Sequence, residues 1–226
     1  MGVSVAPARA VEKELIQAPG RPLSWVVAGI AERIAALALS VLLSPLLAVV
    51  ALATALLSRK SPLIALPRTG EHGKCIWLIK LRTMWETGRS GHGHAGLIER
   101  IEGAHVPECK AESDPRVTSA FAAFCRRYSI DEIPQLWHVV RGELALVGPR
   151  PLTYAELETY YRSDAGEVLS VKPGITGLWQ VRGRNSLTYD QRLALDLYLV
   201  RNWSPGLYLS ILAATIPAVL FGRNAG

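Results

Sequence analysis

The chain has 226 residues, half of them apolar, with a positive mean hydropathy of +0.21 and a formal net charge of +6. Its length suits one domain with a core, or a small domain that carries a membrane element, and the hydropathy favours the second. The charge indicates an anionic partner, and nucleic acid, phospholipid headgroups and a phosphorylated small molecule remain candidates. Cys75, Cys109 and Cys125 lie far apart without CxxC spacing, which excludes a cysteine-based zinc site and indicates reduced thiols.

The N-terminal residues 1–22 have no apolar core ahead of the cluster Glu12-Lys13-Glu14 and no convincing cleavage site. A secretory signal peptide needs both features. We therefore predict a flexible, loosely ordered leader over residues 1–22.

Residues 23–58 are predicted to form a membrane element, because residues 34–57 carry no charge and are long enough to cross a hydrocarbon core of about 30 Å. Pro45 removes the hydrogen bond to the Val41 carbonyl and bends the helix, while the Ser44 hydroxyl can bond to that carbonyl instead. Each half is too short to span alone, and basic residues flank both ends. These features predict a re-entrant helix-bend-helix at Ser44–Pro45; the alternative is a Pro-kinked single span.

Residues 59–226 are predicted to form an α+β domain, mainly helical with short strands, packed on the membrane element. The predicted strands are Ile76–Leu81, Leu144–Val147 and Ile175–Val181, and the predicted helices include Val117–Tyr128, Ile133–Val140, 153–162, one opening at Thr188 and an interfacial or core helix over Leu207–Phe221. Two S/T-x-x-E/Q patterns, Ser129–Glu132 and Thr188–Gln191, predict capping boxes.

A Gly/His-rich stretch, residues 86–96, lacks the pattern of a phosphate-binding loop, and we predict a mobile loop. His92 and His94 could ligate a metal ion, but no third ligand lies nearby in the sequence. The interpretation as a solvated loop is therefore preferred.

Asp131 and Glu132 form an acidic pair at the predicted start of a helix. The unpaired N–H groups there lower the pKa of a carboxylate and attract phosphate. An ionised Asp131 could act as a nucleophile or bind a hard cation such as Mg²⁺. The alternative is that the pair only caps the helix, which is common for acidic residues in a first turn.

Several basic residues lie near turns or element ends around this acidic pair. Any one of them alone is more often a solvated charge or a salt-bridge partner, but their recurrence favours phosphate binding. The group comprises Lys80, Arg82, Arg126, Arg127, Arg150, Arg182 and Arg184.

Six ordered motifs resemble the bacterial sugar transferase family, the monotopic polyprenyl-phosphate phosphoglycosyl transferases. They are Arg68-x-Gly70, Lys80-Leu81-Arg82-Thr83-Met84, Asp114-Pro115-Arg116-Val117-Thr118, Ile130-Asp131-Glu132-Ile133-Pro134-Gln135-Leu136-Trp137, residues 142–151 around Gly148-Pro149-Arg150-Pro151, and residues 172–185, which end in Gly183-Arg184-Asn185. The resemblance extends from about Arg33 to Leu220. Two departures are the missing glutamine before Arg68 and the triplet Tyr208-Leu209-Ser210, where the family has an acidic-Leu-Lys sequence.

The resemblance implies that Asp131 and Glu132 are catalytic. In the family the aspartate attacks the β-phosphorus of a nucleotide diphosphate sugar, and polyprenyl phosphate then accepts the phosphosugar, with Mg²⁺ as the cofactor. Asp131 is accordingly the predicted metal ligand. The phosphate-binding positions fall on Lys80, Arg126, Arg150 and Arg184, to which we add Arg82 and Asn185.

The resemblance also implies the partners and the location. The expected partners are a UDP-sugar, polyprenyl phosphate and the phospholipid bilayer, with a homo-oligomer left open and no nucleic acid. Residues 59–226 become a catalytic domain on the cytoplasmic face of the bacterial inner membrane, and the form of the Leu178-Trp179 motif favours a UDP-hexose such as galactose or glucose in the priming of exopolysaccharide synthesis. The alternatives are a non-catalytic membrane scaffold, against which the intact acidic pair argues, and a nucleic-acid-binding module, which lacks a recognition helix here.

Overall fold

The computed structural model describes residues 23–84, 97–101, 119–183 and 186–220, with side chains from residue 29 onward. Helices form most of this part of the chain and two small sheets complete it, which confirms the predicted α+β, mainly helical class. The predicted leader and the Gly/His-rich segment 86–96 lie outside the described residues, so both remain predictions.

The elements are numbered here in chain order. The helices are α1 (Leu23–Ser58), α2 (Ala120–Arg127), α3 (Leu136–Val140), α4 (Tyr154–Glu156), α5 (Ala165–Val168), α6 (Leu178–Arg182), α7 (Tyr189–Arg201) and α8 (Pro205–Leu220). The strands are β1 (Leu63–Thr69), β2 (Cys75–Leu81), β3 (Ile98–Arg100), β4 (Ala145–Val147) and β5 (Gly174–Thr176). A 3₁₀ helix, Ile130–Gln135, runs directly into α3 and carries the acidic pair, and we call it the Asp–Glu helix.

Helix α1 is the apolar membrane element, and its helical structure continues through Pro45. The Ser44 hydroxyl donates a hydrogen bond of 2.8 Å to the Val41 carbonyl, as predicted, because proline cannot provide the usual N–H donor. Within the described chain, residues 29–58 are the segment long and apolar enough to cross a bilayer.

Strand β1 pairs with β2 in an antiparallel register and with β3 in a parallel one, giving the order β2-β1-β3. The sequence analysis missed β1 because it contains Pro67, a residue that rarely occurs inside a central strand. The Leu63 N–H donates to the Leu97 carbonyl, and the Ile101 N–H donates to the Ala65 carbonyl. The backbone N–H and C=O groups of odd-numbered residues in β1 therefore point toward β3. Within the described ranges, β3 pairs only as far as Ala65, so no strand described there needs the N–H group that Pro67 lacks.

The second sheet pairs β4 with β5 in parallel and places the Gly-Pro-Arg-Pro turn beside the Lys-Pro-Gly turn. A Cβ atom on Gly174 would come within 2.1 Å of the Gly148 nitrogen. The close approach therefore requires glycine at this crossing. The predicted strand over Ile175–Val181 is wrong beyond Thr176, since the chain there turns at Gly177 and forms α6.

Helix α1 packs against the domain on both sides of Pro45. Before the proline, Ala36 is fully buried in a core with Leu78 and Val139, and after it Val50 packs with Leu81. The Glu32 carboxylate also accepts hydrogen bonds from the Leu146 N–H, at 3.1 Å, and from a tyrosine hydroxyl of α8. The same domain thus holds the helix near both of its ends.

The opposite face of α1 is apolar and exposed. In the part of the chain that the structure describes, large apolar side chains there and on the outer face of α8 are exposed. They are Ile30, Ile34, Leu37, Leu39, Val41, Leu42, Leu46, Val49, Leu52, Leu56 and Leu57 on α1, with Leu209, Ile216 and Leu220 on α8. A continuous apolar surface of this kind is typical of contact with lipid.

Candidate active site

The acidic pair lies at the first turn of the Asp–Glu helix, after a sharp reversal of the chain. Ser129 has a positive φ of 55°, a conformation that few non-glycine residues adopt, and α2 ends two residues before it at Arg127. Asp131 is buried, with 7% of its surface exposed, whereas Glu132 is partly exposed. The turn therefore buries Asp131 and leaves Glu132 partly exposed to solvent.

Glu132 forms an ion pair with Lys80, which comes from β2. Lys80 Nζ lies 2.9 Å from Glu132 Oε1, and the two side chains are only 13% and 18% exposed. The Coulomb attraction within a pair that has so little contact with water is stronger than within a surface pair, because solvent screens it less. The pair places a lysine ammonium beside the residue that follows Asp131.

The predicted capping box at Ser129–Glu132 is wrong. Ser129 makes no side-chain cap, and its left-handed backbone turns the hydroxyl away from the position a cap requires. The Glu132 carboxylate binds Lys80. In contrast, the box at Thr188–Gln191 is confirmed, with both reciprocal hydrogen bonds formed.

Cys125 of α2 lies close enough to Asp131 to sense its charge. Burial, and then the Asp131 carboxylate, raise the pKa of the Cys125 thiol to about 11. The thiol is therefore neutral at physiological pH. It forms part of the apolar packing behind the acidic pair and does not compete with it as a nucleophile.

The structure places Arg82 directly after β2 and Arg126 near the end of α2. Arg82 is buried, and its guanidinium binds the Ser61 carbonyl, at 2.8 Å, and the Glu99 carboxylate. This pairing ties β3 to the end of β2. Arg126 lies in the last turn of α2, five positions before Asp131, and is partly exposed. Arg184 and Asn185 lie outside the described residues.

Arg150 belongs to a second cluster, centred on Trp179. Its guanidinium lies 5.7 Å from the Trp179 ring centroid, and that of Arg192 lies 4.8 Å from it. Burial, and then the charge of Arg150, lower the pKa of Arg68 to about 10. The sequence motifs included Arg68 and Trp179, but Arg192 was missed because its partners come from distant segments.

A buried carboxyl group, that of Asp196, lies close enough to Arg150 and Arg192 to sense their charges. It is 0% exposed and accepts a hydrogen bond of 2.8 Å from the Tyr161 hydroxyl. Burial raises the pKa of Asp196 to about 7, although the hydrogen bond from Tyr161 and the charge of Arg150 oppose that change. The sequence did not reveal this residue, since its helix face appeared apolar.

Replacing Asp196 with asparagine is expected to change how stability depends on pH. The folded protein holds a proton on Asp196 up to about pH 7, whereas the unfolded chain releases it near its ordinary pKa of 3.8. Stability from this group is therefore greatest below that value and falls as the pH rises to 7, by up to about 1.4 kcal/mol per pH unit. The measurement is the free energy of unfolding by denaturant of both proteins in detergent at several pH values. Between pH 4 and 7, the stability of the wild type should fall steadily relative to that of Asp196→Asn. A difference in stability that does not change with pH would contradict the assignment.

The acidic pair also fits the needs of Mg²⁺. This ion is commonly held by one or two carboxylates together with substrate phosphates, so it does not require a complete set of protein ligands. Asp131 and Glu132 are adjacent carboxylates of that kind. Among the described residues there is no group of three histidine, cysteine or acidic side chains arranged to hold a metal alone. The donor set thus suits a metal that arrives with a phosphorylated substrate.

The chain matches a known protein family. The model of the family described as "Bacterial sugar transferase" matches residues 23–222, which is nearly the whole chain. The chain belongs to the bacterial sugar transferase family. The family match includes α1 as well as the domain that carries the acidic pair, so the membrane element is part of the shared architecture.

Family relatives have names that describe exopolysaccharide production or sugar transfer. The exopolysaccharide production protein ExoY of Rhizobium meliloti is 41% identical over 165 residues, which is 70% of each chain. The UDP-galactose-lipid carrier transferase of Erwinia amylovora is 40% identical over 71% of this chain and 33% of its own length, and the undecaprenyl-phosphate galactose phosphotransferase of Salmonella typhimurium is 40% identical over 68% and 32%. This chain spans about a third of the length of the last two.

Proposed function

We propose that this protein transfers a sugar 1-phosphate from a UDP-sugar to polyprenyl phosphate, as the first membrane step of exopolysaccharide or related glycan assembly. The products are a polyprenyl-diphosphate sugar and UMP. The observation that carries the proposal is the buried Asp131 beside the Lys80–Glu132 ion pair, on a domain that holds an apolar helix at both ends. The names of the family relatives support the same reaction.

The first chemical step is proposed to form a covalent enzyme. An oxygen of the Asp131 carboxylate attacks the β-phosphorus of the UDP-sugar, and the bond from that phosphorus to the bridging oxygen breaks, so that UMP leaves. The phosphosugar remains on Asp131. Asp131 and Glu132 would hold Mg²⁺, which would supply positive charge to neutralise the phosphate oxygens.

The second step returns the enzyme to its starting state. A phosphate oxygen of polyprenyl phosphate attacks the phosphorus held on Asp131, and the bond from phosphorus to the carboxylate oxygen breaks. The product then carries the diphosphate, and Asp131 is again a free carboxylate. Each step transfers the same phosphoryl group, so no oxidant, reductant or additional proton donor is required.

Lys80 and Glu132 orient the reacting groups in this proposal. The Lys80 ammonium has three donors, so it can bind Glu132 and still donate to a phosphate oxygen. This positive charge stabilises the charge that develops on the phosphoryl group. Glu132, fixed by Lys80, keeps its carboxylate beside Asp131.

The packing of α1 supports a re-entrant topology. Glu32 and Val50 both contact the domain, and in a straight helix they would be separated by about 27 Å, close to the whole hydrocarbon thickness. A span would require the domain to enter the bilayer along that length, together with its polar loops. With Arg33 before the apolar segment and Arg59 and Lys60 after it, both ends are proposed to lie at the cytoplasmic face of the inner membrane.

Single cysteines test this topology. In a background without the native cysteines, Ala10→Cys and Ser58→Cys are expected to react with a membrane-impermeant maleimide from the same side, in inside-out vesicles. A re-entrant helix returns its C-terminal end to the leaflet that it entered. Labelling of the two positions from opposite sides would contradict the re-entrant topology and support the alternative, a single span kinked at Pro45.

A panel of UDP-sugars tests the reaction itself. The purified protein is incubated with polyprenyl phosphate and each UDP-sugar in turn, and both UMP and the lipid-linked sugar are quantified. We expect UMP and lipid product in equal amounts with a UDP-hexose such as UDP-galactose or UDP-glucose. Release of UDP in place of UMP would contradict phosphoglycosyl transfer, because it would mean that the sugar moves without its phosphate.

A further inference from the structure

We infer that His138 is a positioning residue for the transfer reaction, because it ties the Asp–Glu helix to the strand that carries Lys80. The inference rests on the proposed function for its effect on rate, but its structural part can be measured without turnover. His138 was not among the residues singled out in the sequence, since a lone histidine in an apolar helix suggests only packing.

His138 occupies the interior of the domain. It lies in α3, which continues the Asp–Glu helix without a break, and its side chain is only 4% exposed. Its Nε2 atom accepts a hydrogen bond of 3.1 Å from the backbone N–H of Ile79. Ile79 directly precedes Lys80 in β2, so this bond joins the two segments that supply the ion pair.

The hydrogen bond supplies an acceptor for one N–H group on the unpaired side of β2. Among the strands of the described residues, β2 lies at the edge of its sheet and pairs only with β1. The Arg82 N–H binds the Pro62 carbonyl, so even-numbered residues of β2 bond to β1 and odd-numbered N–H groups such as that of Ile79 point outward. A buried N–H without an acceptor costs about 1–3 kcal/mol. The imidazole supplies the acceptor that a further strand would otherwise provide.

The neighbours of His138 fix its tautomer. Because Nε2 accepts from Ile79, the proton of the neutral ring lies on Nδ1, which donates to Glu143 Oε2 at 2.6 Å. The other oxygen of Glu143 pairs with Arg141 Nη2 at 2.9 Å. Glu143 thus orients the ring and keeps its lone pair directed at β2.

The consequence is a fixed distance between Lys80 and the acidic pair. One connection is the side-chain pair Lys80–Glu132, and the other is the bond from His138 to the backbone beside Lys80. Removing the hydrogen bond from the Ile79 N–H to His138 lets β2 shift relative to the Asp–Glu helix. Displacements of about 1 Å in a catalytic arrangement can reduce rate about 100-fold. His138 therefore acts through Lys80 and does not itself contact the substrate.

Two substitutions separate positioning from packing. His138→Leu fills a similar volume without an acceptor, whereas His138→Gln places an amide oxygen near the former Nε2 atom. We expect His138→Leu to lower kcat about 10-fold or more while KM for the UDP-sugar changes less than about 2-fold, and His138→Gln to recover most of the loss. Val139→Ala, in the neighbouring core position, controls for lost stability and should lower Tm with kcat retained.

Equal loss in the leucine and glutamine variants, or a matching fall of kcat in Val139→Ala, would overturn the inference. Hydrogen–deuterium exchange measures the structural part whether or not turnover is observed. The peptide containing Ile79 should exchange faster in His138→Leu than in wild type and His138→Gln, and unchanged protection would also overturn it. Absence of UMP release by wild-type enzyme would instead count against the proposed function.

Discussion

Asp131→Asn is expected to lower kcat by at least about 10³-fold, the largest effect of any single substitution considered. Asparagine has nearly the shape of aspartate but lacks the negative charge and nucleophilic oxygen that the first step requires. The measurement is initial-rate UMP release with UDP-sugar and polyprenyl phosphate both saturating. The variant should remain folded, because a buried charge is replaced by a neutral group of the same size.

The matched control is Asp190→Asn, which makes the same change at an exposed position in the first turn of α7. It is expected to keep kcat within about 2-fold, since surface substitutions of this kind are usually close to neutral. An Asp131→Asn enzyme with more than a tenth of wild-type activity would assign the chemistry to another group.

Lys80→Ala is expected to lower kcat/KM by about 10²-fold. The change removes the cation proposed to stabilise the phosphoryl group, and it also removes the ion pair of the Glu132 carboxylate, which is only 18% exposed. Lys80→Arg keeps the charge but has a planar, wider head group, so we expect it to lose less than alanine and still be impaired. Steady-state kinetics over a range of UDP-sugar concentrations give the values.

Lys74→Ala is the control for a change in overall charge, because Lys74 is exposed in the turn between β1 and β2. If it reduced kcat/KM as much as Lys80→Ala does, a general loss of attraction for anionic substrates would explain both results. Full activity of Lys80→Ala would remove Lys80 from the proposed site.

Features determined by neighbouring residues were predictable from the sequence. The charge-free run gave α1, and the local geometry of proline gave the bond from Ser44 to Val41. The alternation and apolar content of β2 gave its position, and the Thr188–Gln191 box formed as predicted because both partners lie within one turn. The acidic pair stood out for a similar reason, since its two members are adjacent.

Features determined by distant contacts were not predictable. The Lys80–Glu132 pair joins residues 52 positions apart, and the bond between Ile79 and His138 joins residues 59 apart. Pro67 concealed β1, because the place where β3 stops pairing cannot be read from one strand alone. The Ser129 box failed because Ser129 adopts a left-handed backbone conformation, and the spacing of the motif carries no information about that backbone.

The central claim is that Asp131 carries the phosphosugar between the two substrates. Its most direct test is mass spectrometry of the intact enzyme after incubation with UDP-sugar and Mg²⁺ but without polyprenyl phosphate, followed by peptide mapping. We expect a mass increase equal to one phosphosugar, located on the peptide containing Asp131 and lost when polyprenyl phosphate is added. UMP release that requires both substrates together, with no adduct at any stage, would contradict the account.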